Sequence, residues 1–152
     1  MGILKDILYK VPLSATMGRM DRSFNQIRFD SRQVGKDDVF VAVRGTTTDG
    51  HRFIDQAIER GACAIIYEND PDTLHDDITW VKTPDPSIAL GIMASNFYGN
   101  PSSRLQVVAV TGTNGKTTVV TLLHQLFRKM GYHAGLISTI RNQINETIVA
   151  ST

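Results

Sequence analysis

The chain has 152 residues, enough for one ordinary domain and at most a second small or truncated one. Its 16 lysine and arginine residues nearly balance 15 aspartate and glutamate residues, so the net charge is only +1. This balance argues against a nucleic-acid or anionic-membrane partner, and no apolar run reaches the roughly 20 residues that span a bilayer. The single cysteine, Cys63, excludes an internal disulfide and favours a reducing, cytoplasmic setting.

Predicted strands and helices alternate through the first hundred residues. An amphipathic helix is predicted within residues 1–12, and strands are predicted at 26–29, 38–43, 63–67 and 79–82. A helix near residue 53 has Asp49 as its cap and Gly61 as its stop. A further helix follows the pair Asp85-Pro86. This alternation predicts an α/β fold built on a small mixed sheet.

Residues 99–103 read Gly-Asn-Pro-Ser-Ser, which is typical of a linker between domains. We therefore predict two domains, residues 1–103 and residues 104–152. In the second, an apolar strand at 105–110, a loop, a helix at 117–130 and a strand at 133–138 predict a parallel sheet. Fewer than about 50 residues are too few to cover both faces of such a sheet, so we expect a truncated domain.

The loop between the predicted strand and helix of the second domain reads TGTNGKTT over residues 111–118. A glycine-rich loop in this context directs backbone N–H groups and a helix dipole at phosphate oxygens. Lys116 is predicted to bridge the β and γ phosphates of ATP, and the Thr117 hydroxyl to coordinate Mg²⁺. The predicted ATP-binding set is completed by Gly112, Thr113, Asn114, Gly115 and Thr118. Val110 replaces the first glycine of the strict pattern, so Gly112 is expected to make the early bend.

The string TGTNGKTT resembles the ATP-binding signature of the Mur ligases. Further matches follow in the family's order: DSR at 30–32, DVFVAVRG at 38–45, DGH at 49–51, and Phe97-Tyr98-Gly99. Together they resemble most the Mur ligases that add a diamino acid, the third residue of the peptide stem, to UDP-N-acetylmuramoyl-L-alanyl-D-glutamate. The resemblance covers the chain from about residue 26 onward, and it implies a fragment of a monomeric, ATP- and Mg²⁺-dependent ligase.

The resemblance also implies that the two domains bind different ligands. The first domain is expected to hold the UDP end of the substrate through Phe29, Ser31, Thr46, Thr47 and Thr48, and Thr152 is expected to begin a further substrate contact. Thr46, Thr47 and Thr48 offer hydroxyl and N–H groups to a pyrophosphate, but these residues also suit a simple turn, and Ser31 a local cap. His51 is expected to be solvated or to cap a helix.

Two other functions stay open. The ligase that adds D-alanyl-D-alanine shares the upstream motif order, although Asn114 and the GLIST segment at 135–139 favour the earlier step. A non-catalytic module that senses ATP would also use the phosphate loop. The choice between meso-diaminopimelate and L-lysine lies outside what these residues indicate.

Overall fold

The computed structural model describes residues 1–45 and 48–149. It contains two compact units, the first comprising Met1–Leu105 and the second beginning at Gln106. Each unit has its own sheet. None of the helices among the described residues is long and apolar enough to cross a bilayer.

The described residues of the first unit form seven strands, three α-helices and three 3₁₀ turns. The strands are β1 (Gly2–Ile3), β2 (Ala15–Met17), β3 (Ser23–Phe24), β4 (Ile27–Arg28), β5 (Asp38–Val41), β6 (Ala62–Tyr67) and β7 (Thr79–Lys82). The helices are α1 (Leu4–Ile7), α2 (Ile54–Glu59) and α3 (Pro86–Phe97), and the 3₁₀ turns are Ser31–Gln33, Gly50–Phe53 and Pro101–Arg104.

The main sheet of this unit has the strand order β2-β7-β6-β5-β4. Strands β4 to β7 are parallel, and β2 joins one edge antiparallel to β7. The predicted mixed α/β fold is therefore confirmed. Because parallel strands end at the same edge of a sheet, the segments that follow β4, β5 and β6 lie at one edge.

Both faces of the sheet are covered, because every residue of β5 and β6 is buried. Val39 and Val41 pack with Leu4 and Met93 on one face, whereas Phe40 packs in a second cluster with Ile54, Ala57 and Trp80. The alternation follows from the two-residue period of a strand. Cys63 lies in β6 as predicted, and burial raises the pKa of its thiol.

Helix α3 begins as predicted. The Asp85 carboxylate accepts the N–H groups of Ser87 and Ile88 at 2.8 and 3.0 Å, and Pro86 occupies the first turn. The prediction of one amphipathic helix within residues 1–12 is wrong in extent. Gly2–Ile3 instead pairs antiparallel with Ser23–Phe24, so only Leu4–Ile7 is helical.

Up to residue 149, the second unit contains α4 (Lys116–Lys129) and three strands, β8 (Gly135–Ile137), β9 (Asn142–Ile144) and β10 (Thr147–Val149). The helix predicted at 117–130 and the strand predicted at 133–138 are confirmed within a few residues. However, β8, β9 and β10 form an antiparallel meander, so the expectation of parallel pairing is wrong for the strands described here. A two-residue turn that begins at Asn145, which has φ of 52°, connects β9 to β10 and lets the two strands pair antiparallel.

The apolar strand predicted at residues 105–110 is also wrong for this structure. A strand needs hydrogen bonds to a neighbour, and within the described residues this segment belongs to none of the sheets. Val107 and Val108 remain 71% and 60% exposed. The segment is apolar, but it has no described strand beside it.

Candidate nucleotide-binding sites

The predicted phosphate loop leads directly into α4. Gly112 has φ of +150° and Gly115 has φ of +76°, a backbone conformation that L side chains rarely adopt. Gly115 immediately precedes the helix, and none of the described side chains caps the helix start. The N–H groups of the first turn therefore have no intrahelical acceptor and carry the positive end of the helix dipole.

Lys116 is the first residue of α4, and its side chain folds back over the loop. The Nζ atom donates to the carbonyl oxygens of Gly112 and Thr113, the latter at 3.5 Å. Residues 111–116 are exposed, Thr117 is half-buried and Thr118 is exposed in the first turn of the helix. The loop thus presents backbone donors and one ammonium group to solvent, an arrangement suited to binding an anion.

Ser31 lies beyond β4, in the 3₁₀ turn that Asp30 caps by accepting the Arg32 N–H at 3.0 Å. The Ser31 side chain is buried and donates to Gln56 Oε1 at 2.6 Å. Phe29, just before this turn, is 60% exposed. The structure therefore leaves the Phe29 ring accessible and engages the Ser31 hydroxyl with α2, a contact that no local sequence signal indicates.

The Asp30 carboxyl group provides a pH test of this turn. The side-chain hydrogen bonds of Arg32, at 2.9 Å to each carboxylate oxygen, lower the pKa of Asp30 from 3.8 to about 2. A lowered folded-state pKa contributes stability above the unfolded value, and this contribution is lost as the pH falls from about 4 towards 2. Carbon-13 NMR of the Asp30 carboxyl is expected to give this pKa.

Arg32→Ala is expected to return the pKa of Asp30 towards its usual value, whereas Arg52→Ala, which removes an exposed cation elsewhere in the unit, leaves it unchanged. An Asp30 carboxyl that titrates near pH 4 in the unaltered chain would contradict the ion pair.

The loop after β5 begins and ends in a narrow neck. Arg44 and Asp49 form an antiparallel bridge, and the Gly45 N–H donates to the Thr48 carbonyl at 2.9 Å. The Thr48 side chain is exposed. Of the other predicted substrate contacts, Thr46, Thr47 and Thr152 lie outside the described residues.

His51, which follows this loop, differs from the expectation that it is solvated or caps a helix. Its side chain is only 12% exposed, and its Nδ1 lies 2.6 Å from Asp49 Oδ1. On the other side of the ring, Nε2 accepts the backbone N–H groups of Glu68 and Asn69 at 3.0 and 3.3 Å. The backbone N–H and the ring of His51 together hold the pKa of the Asp49 carboxyl below its usual value. The DGH string at 49–51 indicates that Asp49 is a capping residue. It does not indicate the hydrogen bonds between the His51 ring and the end of β6.

Two open depressions of about 440 and 450 Å³ lie elsewhere on the first unit. Lys5, Tyr9 and Asn96 help line one, and Arg19 and Asp76 help line the other. None of the predicted site residues that the structure describes lines either depression. Within the described residues, no group of three or more histidine, cysteine, aspartate or glutamate side chains could hold a metal ion.

The fold is α/β, and the loop before α4 has the glycine-bent backbone expected of a phosphate-binding loop. Residues 23–98 match the family described as "Mur ligase family, catalytic domain", and residues 110–152 match "Mur ligase middle domain". The first match covers half of the chain. The chain therefore belongs to the Mur ligase family.

Among relatives, the chain is 50% identical over 150 residues to the UDP-N-acetylmuramoyl-L-alanyl-D-glutamate--2,6-diaminopimelate ligase of Cytophaga hutchinsonii. The alignment covers 98% of this chain and 31% of the relative. It is 45% identical to the ligase of the same name from Bacteroides fragilis, over 96% of this chain and 30% of the relative. The chain thus spans about three tenths of the length of these relatives.

Solved structures of this family are similar to the chain in fold. A UDP-N-acetylmuramoyl-L-alanyl-D-glutamate--2,6-diaminopimelate ligase aligns with a TM-score of 0.71 at 22% identity, over 97% of this chain and 30% of that one. The MurF ligase of Thermotoga maritima, solved in complex with ADP, aligns with a TM-score of 0.52 at 34% identity, over 69% of this chain and 23% of that one.

Proposed function

We propose that this chain is part of an ATP-dependent ligase that joins 2,6-diaminopimelate to UDP-N-acetylmuramoyl-L-alanyl-D-glutamate in peptidoglycan precursor synthesis. The observation that carries the proposal is the glycine-bent loop before α4, in a chain 50% identical to a ligase of that name. Because the chain spans about three tenths of such relatives, the complete reaction belongs to the whole ligase.

In this proposal residues 1–103 hold the UDP end of the substrate, and residues 104–152 begin the ATP-binding domain. Phe29, Ser31 and Thr48 support the first assignment because they follow β4 and β5, whose ends lie at one sheet edge. Thr46, Thr47 and Thr152 complete the proposed substrate contacts. The loop from Gly112 to Lys116, with Thr117 and Thr118, supports the second assignment.

The reaction must convert a carboxylate, which is a poor electrophile at neutral pH, into a reactive acyl group. A substrate carboxylate oxygen attacks the γ-phosphorus of ATP, the bond to the β-phosphate oxygen breaks, and ADP leaves. The amine of the diamino acid then attacks the acyl carbon of the resulting acyl phosphate. Phosphate leaves, and the nitrogen loses a proton to give the amide.

Lys116 and the N–H groups of the loop have definite roles in this scheme. They would hold the β and γ phosphates in place and stabilise the negative charge on the transferring phosphoryl group. The Thr117 hydroxyl would supply one oxygen ligand to Mg²⁺, which is commonly held by phosphate and water oxygens with few protein ligands. When bound, Mg²⁺ would neutralise phosphate charge.

We further propose that the protein is a monomer and acts in the cytoplasm, where ATP and the UDP-linked substrate are available. A buried, unpaired Cys63 and a net charge of +1 are compatible with this setting and with the absence of a nucleic-acid partner.

Isothermal titration of the chain with UDP-N-acetylmuramoyl-L-alanyl-D-glutamate tests the proposal. We expect binding at a single site, and much weaker binding of the same muramoyl dipeptide without UDP. A chain that is folded by circular dichroism and binds neither compound would overturn the proposed function.

The ligase that adds D-alanyl-D-alanine is the second candidate, because MurF structures from Acinetobacter baumannii and Thermotoga maritima resemble this chain at 25% and 34% identity. The 50% identity to a diaminopimelate ligase favours the earlier step. Tighter binding of the UDP-linked tripeptide than of the dipeptide would favour the later one. A sensor of ATP alone would bind ATP and neither UDP compound.

A further inference from the structure

His51 connects two segments at the sheet edge where the UDP end of the substrate is proposed to bind. Its Nε2 is the acceptor for two backbone N–H groups at the end of β6, those of Glu68 and Asn69. A neutral imidazole that accepts at one nitrogen carries its proton on the other. Nδ1–H therefore donates to Asp49 Oδ1, 2.6 Å away, which assigns the tautomer from its neighbours.

Asp49 stands at the end of the threonine loop, residues 45–48. Its backbone pairs with Arg44 at the start of the loop, and the Gly45 N–H donates to the Thr48 carbonyl. The Asp49 carboxylate also accepts the His51 N–H at 3.0 Å. The neck of the loop is therefore held by Asp49, and Asp49 is held by the His51 ring.

Both nitrogens of the His51 ring are used in hydrogen bonds within the protein. Both nitrogens have protein partners, and only 12% of the side chain is exposed. Such a histidine has no free nitrogen with which to donate to a substrate. Its effect on a ligand must pass through the segments that it connects.

We propose that His51 is a positioning residue, which holds Asp49 and the neighbouring Thr48 beside the end of β6, so that Thr48 is in place for the UDP group. The proposal rests on the proposed function, because it names how that UDP site is built. Without the ring, Asp49 loses its connection to β6, and part of the binding free energy must be spent on fixing Asp49 and Thr48 when UDP binds. Affinity for UDP is then expected to fall while the fold is retained.

Three substitutions separate the two bonds of the ring. His51→Ala removes both. In His51→Asn, the side-chain amide nitrogen lies near the Nδ1 position and can still donate to Asp49. In His51→Gln, the side-chain carbonyl oxygen reaches the Nε2 position and can still accept from the N–H groups of Glu68 and Asn69. A net hydrogen bond is worth enough to change a dissociation constant several-fold. We expect UDP to bind about tenfold more weakly to the alanine variant, and the two amides to restore part of this loss.

The dissociation constant of UDP is measured by isothermal titration, with the midpoint of thermal unfolding for each variant. His75→Ala, which removes an exposed histidine of the same unit, is the control and is expected to bind UDP normally. Partial rescue by both amides supports positioning. Unchanged affinity in His51→Ala overturns it, and so do amide variants that bind no better than the alanine variant. An unaltered chain that fails to bind UDP counts against the proposed function instead.

Discussion

Replacing Lys116 by alanine is expected to reduce amide-bond formation by at least about 10²-fold, the order of magnitude lost when one group that stabilises a developing charge is removed. Lys116 is the first residue of α4, and its ammonium group contacts the carbonyl oxygens of the loop that is proposed to hold the triphosphate. The effect should appear mainly in kcat, because charge builds up on the transferring phosphoryl group. The measurement is ADP release by the full-length ligase that carries this chain.

Lys129→Ala provides the matched control, since Lys129 is an exposed lysine at the opposite end of the same helix. Thirteen residues of helix separate it from the loop by about 20 Å, beyond the reach of a direct contact with phosphate. Its substitution should leave ADP release unchanged. Equal losses in the two lysine variants, or normal turnover in Lys116→Ala, would contradict a phosphate-binding role for Lys116.

The features that the sequence predicted well are determined by neighbours along the chain. Asp85 and Pro86 specify the start of α3 through a capping carboxylate and a fixed φ angle, and both act within three residues. The loop before α4 is predictable for the same reason, because Gly115 and Lys116 are consecutive. Strands β6 and β7 were recognisable from short apolar runs bounded by polar turns.

The features that the sequence did not predict depend on distant partners. Ser31 and Gln56 are 25 positions apart, and His51 bonds the Glu68 N–H 17 positions away. No local pattern encodes which polar groups will meet across a sheet edge. The first helix is shorter than predicted for a similar reason, because pairing of Gly2 with Phe24 competes with helix formation. Parallel pairing was expected in the second unit from alternation alone, yet the turn at Asn145 produces an antiparallel meander.

Gly50→Ala is expected to destabilise the first unit by about 2–3 kcal/mol, within the usual cost of forcing an extra group into a packed site. A Cβ atom at this position would lie 2.5 Å from the carbonyl oxygen and 2.8 Å from the nitrogen of Val43. These are backbone atoms next to buried β5, so they cannot move aside as a flexible side chain would. The same shift would displace Asp49 and the neck of the threonine loop, so UDP binding should weaken as well. Urea unfolding gives the free energy of unfolding, and titration gives the affinity.

Gly91→Ala supplies the opposite case with the same chemical change. Gly91 is an exposed position inside α3, and no atom lies within 4 Å of a Cβ placed there. Alanine is a better helix former than glycine by about 0.5–1 kcal/mol, so this variant should be more stable than the unaltered chain. Opposite signs at the two sites would show that contact with the backbone at Val43, rather than a general effect of replacing glycine, requires Gly50. Equal stability of the two variants would mean that the segment after β5 can move by several tenths of an ångström without an energetic cost. The neck of the threonine loop would then be held less tightly than its hydrogen bonds indicate.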